Sequence, residues 1–236
     1  MKGNVLITGA NRGLGYELVK CFHSNHYQVF PLVRSEEAAI DLMAEYNDRC
    51  YPIVADVRLD DCKESIQSTI RNFTDKIDIV INNAGIPGRS RELEKVEPEE
   101  ISELLNVHCL GVLRVVQAAM AFLQNGDNPR IINVSSRLGS LSKMASAEFR
   151  NRKFTYSYRV AKAAQNMLTI CMDQEFSKKG ICIRAIHPGV FISGPSSLDG
   201  DLEVHEAAGH IFRWIDGMEI NRSERFIQPG VGELPW

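Results

Sequence analysis

NVLITGANRGLG, residues 4 to 15, decides the architecture of this chain. NVLIT (4 to 8) is a short apolar run of strand length, and it passes at once into TGANRGLG (8 to 15), with glycines at 9, 13 and 15. A strand that ends in a glycine turn and reopens as a segment of helical period is the entry to a nucleotide-binding βα unit. There Gly9, Gly13 and Gly15 permit a tight turn, close approach of a pyrophosphate to the backbone and tight packing of helix on strand. Asn11, Arg12 and Leu14 fill the turn between them. A plain glycine turn is the alternative, and it is the position at the strand-to-helix junction that favours phosphate. The spacing GxxxGxG differs from the GxGxxG of two-domain dehydrogenases.

Outward from this unit, short apolar runs alternate with longer amphipathic ones. YQVFPLV (27 to 33), YPIVA (51 to 55), IDIVI (77 to 81), RIINVS (130 to 135) and ICIRAI (181 to 186) are expected strands. Helical period runs over 13 to 24, 36 to 46, 60 to 73, 98 to 123 and 155 to 178, with a last helix near 202 to 216 and a short strand near 224 to 227. The alternation predicts an α/β, doubly wound parallel sheet of Rossmann type, about seven strands with helices on both faces, in one domain over 1–236. Pro31 lacks the donor an interior strand needs, so a bulge is expected there. SLSKMASAEFRNRKF (140 to 154) has no clear period and reads as an irregular or partly helical excursion.

The bulk numbers exclude several classes. At 236 residues, 44% hydrophobic and 24% charged, the chain needs no disulfide or metal staple to close a core. Net charge is -3 and the lysines and arginines are scattered, so neither a nucleic-acid nor a membrane partner is expected. The six cysteines stand singly, without CxxC or a histidine pair at metal spacing, and read as reduced thiols. No leader-like start and no long uncharged apolar stretch is apparent, so a cytoplasmic setting is the expectation.

The chemistry is expected at the carboxyl ends of the strands, where open α/β sheets bind ligands. After the second strand comes Arg34, and with Arg12 it would suit a ribose 2′-phosphate; the alternative is a solvated Arg34 with Glu36 or Glu37 on the ribose. Those glutamates are better placed as first-turn residues behind a Ser35 N-cap. Asp56 and Val57 follow the third strand, where the aspartate could also cap a helix, and NNAG (82 to 85) follows the fourth. Ser135 and Ser136 close the fifth, and chemistry does not separate them. In YSYRVAK (156 to 162), Tyr158 and Lys162 are four apart and share a helical face, which Tyr156 does not. A phenol beside an ammonium is expected to titrate below its usual value of about 10.

TGANRGLG, Asp56, NNAG, Asn106, Ser136 and the YxxxK of 158 to 162 together resemble the short-chain dehydrogenase/reductase family, over essentially the whole chain. NVSSRLGS (133 to 140), the short 193 to 201 connection and RFIQPGVGELPW resemble its C-factor or sniffer-like carbonyl reductases. The resemblance implies an NADPH-dependent carbonyl reductase: Tyr158 as proton donor, Ser136 holding the carbonyl oxygen, Lys162 also on the nicotinamide ribose, Asn106 keeping a water in the proton path. It assigns Asp56 and Val57 to the adenine, Asn83, Ala84 and Gly85 to the cofactor wall, and Pro188, Gly189 and Ser193 of IHPGVFIS (186 to 193) to the carboxamide. It implies a small-molecule carbonyl substrate and helices used for a possible homodimer. An NADP(H)-binding signalling or sensing protein with little turnover, and an NAD-dependent alcohol dehydrogenase, are the alternatives. His187 reads as structural.

Overall fold

The computed structural model describes residues 1–191, 202–218 and 224–236. Strand β1 (Asn4–Thr8) is buried at every position. Its alternating side chains serve two cores, Val5 and Ile7 on one face and Leu6 on the other. On the first face, α1 (Gly13–Ser24), α2 (Glu36–Glu45) and α8 (Val204–Asp216) pack Leu18, Phe22, Leu42 and Ile211 against the sheet. On the second, α3 (Cys62–Arg71), the helix through Pro98–Leu123 and α7 (Tyr156–Phe176) contribute Ile66, Val115, Phe122 and Met172. Full burial of each such side chain contributes about 1.5–3 kcal/mol, which is why near-continuous apolar strands demand helices on both sides.

The remaining strands are β2 (Gln28–Val33), β3 (Ile53–Val54), β4 (Ile79–Asn82), β5 (Arg130–Val134), β6 (Cys182–Ile186), β7 (Phe226–Gln228) and β8 (Gly232–Glu233). They form one sheet in the order β3-β2-β1-β4-β5-β6-β7-β8, parallel throughout except for the antiparallel pair β7 and β8. The doubly wound α/β expectation holds, with eight strands rather than about seven. The extra one comes from Pro229 and Gly230 (φ +83°), which turn the chain back on β7. The order in which strands are added to the sheet reverses between β1 and β4, which lie side by side and parallel through Val5 with Ile79 and Ile7 with Ile81. This switch point opens the crevice in which the site is built.

Pro31 makes no bulge. β1 and β2 stay in unbroken register, with Ile7 opposite Pro31. Val29 and Val33, of the same parity, direct their hydrogen bonds toward the β3 side, so the missing donor of Pro31 falls there too. The gap lies between the isolated Val29 to Cys50 bridge and the short ladder that starts at Leu32 with Ile53.

The 98 to 123 segment is one helix in three parts, α4 (Pro98–Leu105), a π segment (Asn106–Leu110) and α5 (Gly111–Leu123). It is long and apolar enough by length and composition to cross a membrane, although Arg114 interrupts it, and half of its most apolar stretch is buried inside this protein. The excursion after β5 contains a short helix, α6 (Leu141–Ala145). The C-terminal residues anchor it: Ser140 Oγ donates to Pro235 O at 2.7 Å and Ser142 N to Trp236 O at 2.8 Å.

Candidate active site

The glycine turn is locked to the end of β4 by one threonine and one asparagine. Thr8 Oγ1 accepts from Asn83 N and Ala84 N, each at 3.0 Å, while Asn83 Nδ2 donates to Thr8 O at 2.9 Å and Gly9 O at 3.1 Å. A Cβ on Gly15 would stand 2.1 Å from Gly9 O, and one on Gly9 (φ +66°) 2.8 Å from Ala84 Cα, so helix, turn and strand touch as backbone on backbone. Gly13 (φ +55°) is different, because nothing lies within 4 Å of its would-be Cβ. The turn is therefore closed toward the protein and open toward the crevice.

A cavity of about 320 Å³ extends from this turn. Gly9, Asn11, Arg12, Gly13, Leu14, Gly15, Arg34, Asp56, Val57, Asn83, Ala84 and Gly85 all line it. Arg12 and Arg34 are exposed and carry no ion pair among the described residues. Glu36 and Glu37 do not line it. They sit in the first turn of α2, where Ser35 Oγ caps the helix by accepting from Ala38 N at 3.3 Å.

Sequence reasoning misses Arg58, which lines the same cavity and pairs with Asp56 through Nη2 to Oδ2 at 2.6 Å and Nε to Oδ2 at 2.9 Å. The hydrogen bonds from Arg58 hold the Asp56 carboxyl below the usual carboxylate range despite partial burial. The Asp56 side chain accepts from Arg58 N at 2.9 Å and does not cap α3, whose N-cap is Asp61. The only signal available was a second basic residue two past the aspartate.

At the end of β5 the two serines part company. Ser135 Oγ is buried and donates to Asn166 Oδ1 at 2.5 Å. Ser136 Oγ accepts from Leu138 N at 3.2 Å and shares a cavity wall with Tyr158. The geometry thus distinguishes what chemistry left open. Ser136, Tyr158, Pro188 and Gly189 line a second cavity of about 320 Å³, together with His187. Ser193 lies outside the described residues. Tyr156 stacks under the Arg159 guanidinium 4.9 Å from its ring centre and is not part of that lining.

Lys162 shares a helical face with Tyr158, its Nζ 5.7 Å from the phenol ring centre. The expected lowering of the phenol is absent. Burial pushes Tyr158 up to about 12, only partly offset by the neighbouring Ser136, and burial pushes Lys162 down to about 7. The reason is that Nζ turns inward, donating to Val134 O at 2.7 Å and Gln165 Oε1 at 2.9 Å, so desolvation outweighs attraction. A belt of buried amides backs this ammonium. Asn82 Nδ2 donates to Asn133 Oδ1, Asn133 Nδ2 to Thr169 Oγ1, and Thr169 Oγ1 to Gln165 O, each at 2.8 Å.

Asn106 is not brought to Tyr158 or Lys162. Its Oδ1 accepts from Arg114 Nη1 at 2.8 Å, its Nδ2 donates to Arg58 O at 3.4 Å, and its carbonyl accepts from Gly111 N inside the π segment. What the widened helical turn delivers is His108, buried, with its ring edge-on to Tyr158 at 5.5 Å between centres. His108 Nε2 is 2.9 Å from Ile86 O, and burial lowers its pKa to about 3, so it packs against the phenol as a neutral ring. Among the described residues no group of histidine, cysteine, aspartate and glutamate could hold a metal ion.

The family model described as short chain dehydrogenase matches residues 3–196. The C-signal protein of Myxococcus xanthus is 31% identical over 163 residues, 69% of this chain and 95% of that protein. Among solved structures, NADPH-bound carbonyl reductase from chicken fatty liver superposes with a TM-score of 0.89 at 25% identity, covering 99% of this chain and 98% of that one. Carbonyl reductase Sniffer of D. melanogaster gives 0.86 at 25% identity, covering 99% of both chains. The chain belongs to the short-chain dehydrogenase family of oxidoreductases.

Proposed function

We propose that this protein is an NADPH-dependent carbonyl reductase acting on a small ketone or aldehyde. The observation that carries the reading is that Ser136 and Tyr158 line one cavity, bordered by Pro188 and Gly189. The residues present fit a dinucleotide: a turn open only at Gly13 suits a pyrophosphate, and exposed Arg12 and Arg34 suit a ribose 2′-phosphate. Bound there, NADPH supplies a hydride. Tyr158, a phenol and therefore protonated at neutral pH, gives its hydroxyl proton to the carbonyl oxygen, and Ser136 Oγ donates a hydrogen bond to the same oxygen. Lys162, whose ammonium is held by Val134 O and Gln165 Oε1, lies behind the phenol and lines neither cavity, so the expected ribose contact is not carried into this reading. A protonated phenol and the cationic rim favour NADPH-driven reduction over NAD-dependent alcohol oxidation.

Consumption of NADPH against a panel of aldehydes and ketones, run beside NADH, tests the proposal. Turnover with NADPH is the expected result. A second reading, a signalling protein that binds the cofactor with little turnover, draws on the name of the Myxococcus relative. NADPH binding without consumption across the panel selects that reading instead.

A further inference from the structure

Three consecutive strand ends face the cavity that extends from the glycine turn. In the sheet order β3-β2-β1 they are Asp56 to Arg58 after β3, Arg34 after β2 and the turn itself after β1. Neighbouring strands lie about 4.8 Å apart, so Arg58 stands roughly 10 Å along the sheet from a pyrophosphate at the turn, past a ribose opposite Arg34. The arginines of this cavity also differ in kind. Arg12 and Arg34 are exposed and carry no ion pair among the described residues, whereas Arg58 is half-buried and paired with Asp56.

That pairing decides what Asp56 has left to offer. Its Oδ1 accepts from Arg58 N at 2.9 Å and Nε at 3.1 Å, and its Oδ2 accepts from Nε at 2.9 Å and Nη2 at 2.6 Å. A carboxylate has about four acceptor positions, so an adenine amine arriving there would have to displace a charge-assisted bond from Arg58. The turn beneath is clamped as well: Arg58 O accepts from Asn106 Nδ2 at 3.4 Å and Val57 O from Arg114 Nη1 at 3.3 Å. A guanidinium neutralised in this way has little to offer a phosphate, but its fixed plane still attracts the π face of a base.

Resting on the reading of this cavity as the dinucleotide site, we infer that Arg58 is the adenine-binding residue of this chain, its guanidinium plane the platform for the base, and that Asp56 is a positioning residue that aims it. The platform reads the ring face and ignores the exocyclic amine.

Fluorescence and calorimetric titration of the full chain test this without turnover. NADPH and its deamino analogue, in which hypoxanthine replaces adenine, are expected to bind within about twofold of each other, a comparison that needs no variant. Arg58→Lys keeps the charge and loses the plane, and is expected to weaken NADPH and NADH alike by about five- to tenfold. Asp56→Asn is expected to weaken NADH in the natural chain and to add nothing once Arg58 is replaced by lysine, a coupling that a merely structural aspartate would not show. A deamino penalty of about tenfold or more returns the amine contact to Asp56 and overturns the inference. A loss on Arg58→Lys confined to NADPH would assign Arg58 to the 2′-phosphate, and an unchanged affinity would remove it from the site; either overturns the inference and leaves the cofactor reading intact. Absence of binding by both NADPH and NADH overturns that reading and the inference together.

Discussion

At the end of β1 the crevice is floored by backbone and rimmed by the exposed cations Arg12 and Arg34, whereas at the end of β5 it is walled by buried Ser136 and half-buried Tyr158, with the buried Lys162 behind them. The first arrangement leaves arginine hydrated and unpaired, so the fold hardly depends on it. The second ties Lys162, Gln165 and Asn166 into buried hydrogen bonds, so fold and site share the same side chains. Changes at the turn should therefore act on affinity, and changes under α7 on both chemistry and stability.

The sharpest break comes from Tyr158→Phe, expected to lower kcat by about 10²–10⁴-fold while NADPH affinity stays within about twofold, as read by cofactor oxidation and fluorescence titration. Activity that survives the change would place the proton donor elsewhere. Ser136→Ala should reduce kcat by about 10²-fold. Its neighbour tests the division between serines, because Ser135→Ala leaves Asn166 Oδ1 without its donor and should lower unfolding stability by about 1–3 kcal/mol with kcat preserved. On the open side of the crevice, Arg34→Ala is expected to weaken NADPH binding by about tenfold and to leave NADH binding unchanged, with unfolding temperature unaltered. A matching loss for NADH would mean that Arg34 does not meet a 2′-phosphate.

A further prediction concerns acidity. Burial lowers Lys162 from 10.5 to about 7, so across that window the unfolded chain binds a proton that the folded chain does not. The stability contribution of this residue falls as pH drops from 10.5 toward 7 and is level below. Lys162→Met should therefore gain stability relative to the natural chain as pH is lowered across the window, and chemical denaturation at several pH values measures it. A constant gap would show that the ammonium is better solvated than its contacts suggest.

The division between the halves also decides what the residues reveal in linear order. The turn at 8 to 15 is legible because every requirement is local: strand, positive φ at Gly9 and Gly13, close approach at Gly15, helix. Ser35 and the glutamates of α2 are legible for the same reason. Arg58 is not, since its place in the cavity depends on how β3 leads into α3. The inward turn of Lys162 is not either, because it depends on Val134 and Gln165 competing for the ammonium. Likewise, nothing in LNVHCLG marks the π segment that carries Asn106 toward Arg114 and His108 toward Tyr158. Pro31 misleads because its effect hangs on which strand edge the absent donor faces.

The amide belt from Asn82 through Asn133 and Thr169 to Gln165 has a consequence for anyone seeking a hardier protein. Exchanging such buried amides for oily side chains of equal bulk often raises the melting point. At Gln165 it would also take an acceptor from the Lys162 ammonium, so a screen scored on heat tolerance alone is expected to discard turnover through a position that never meets a substrate.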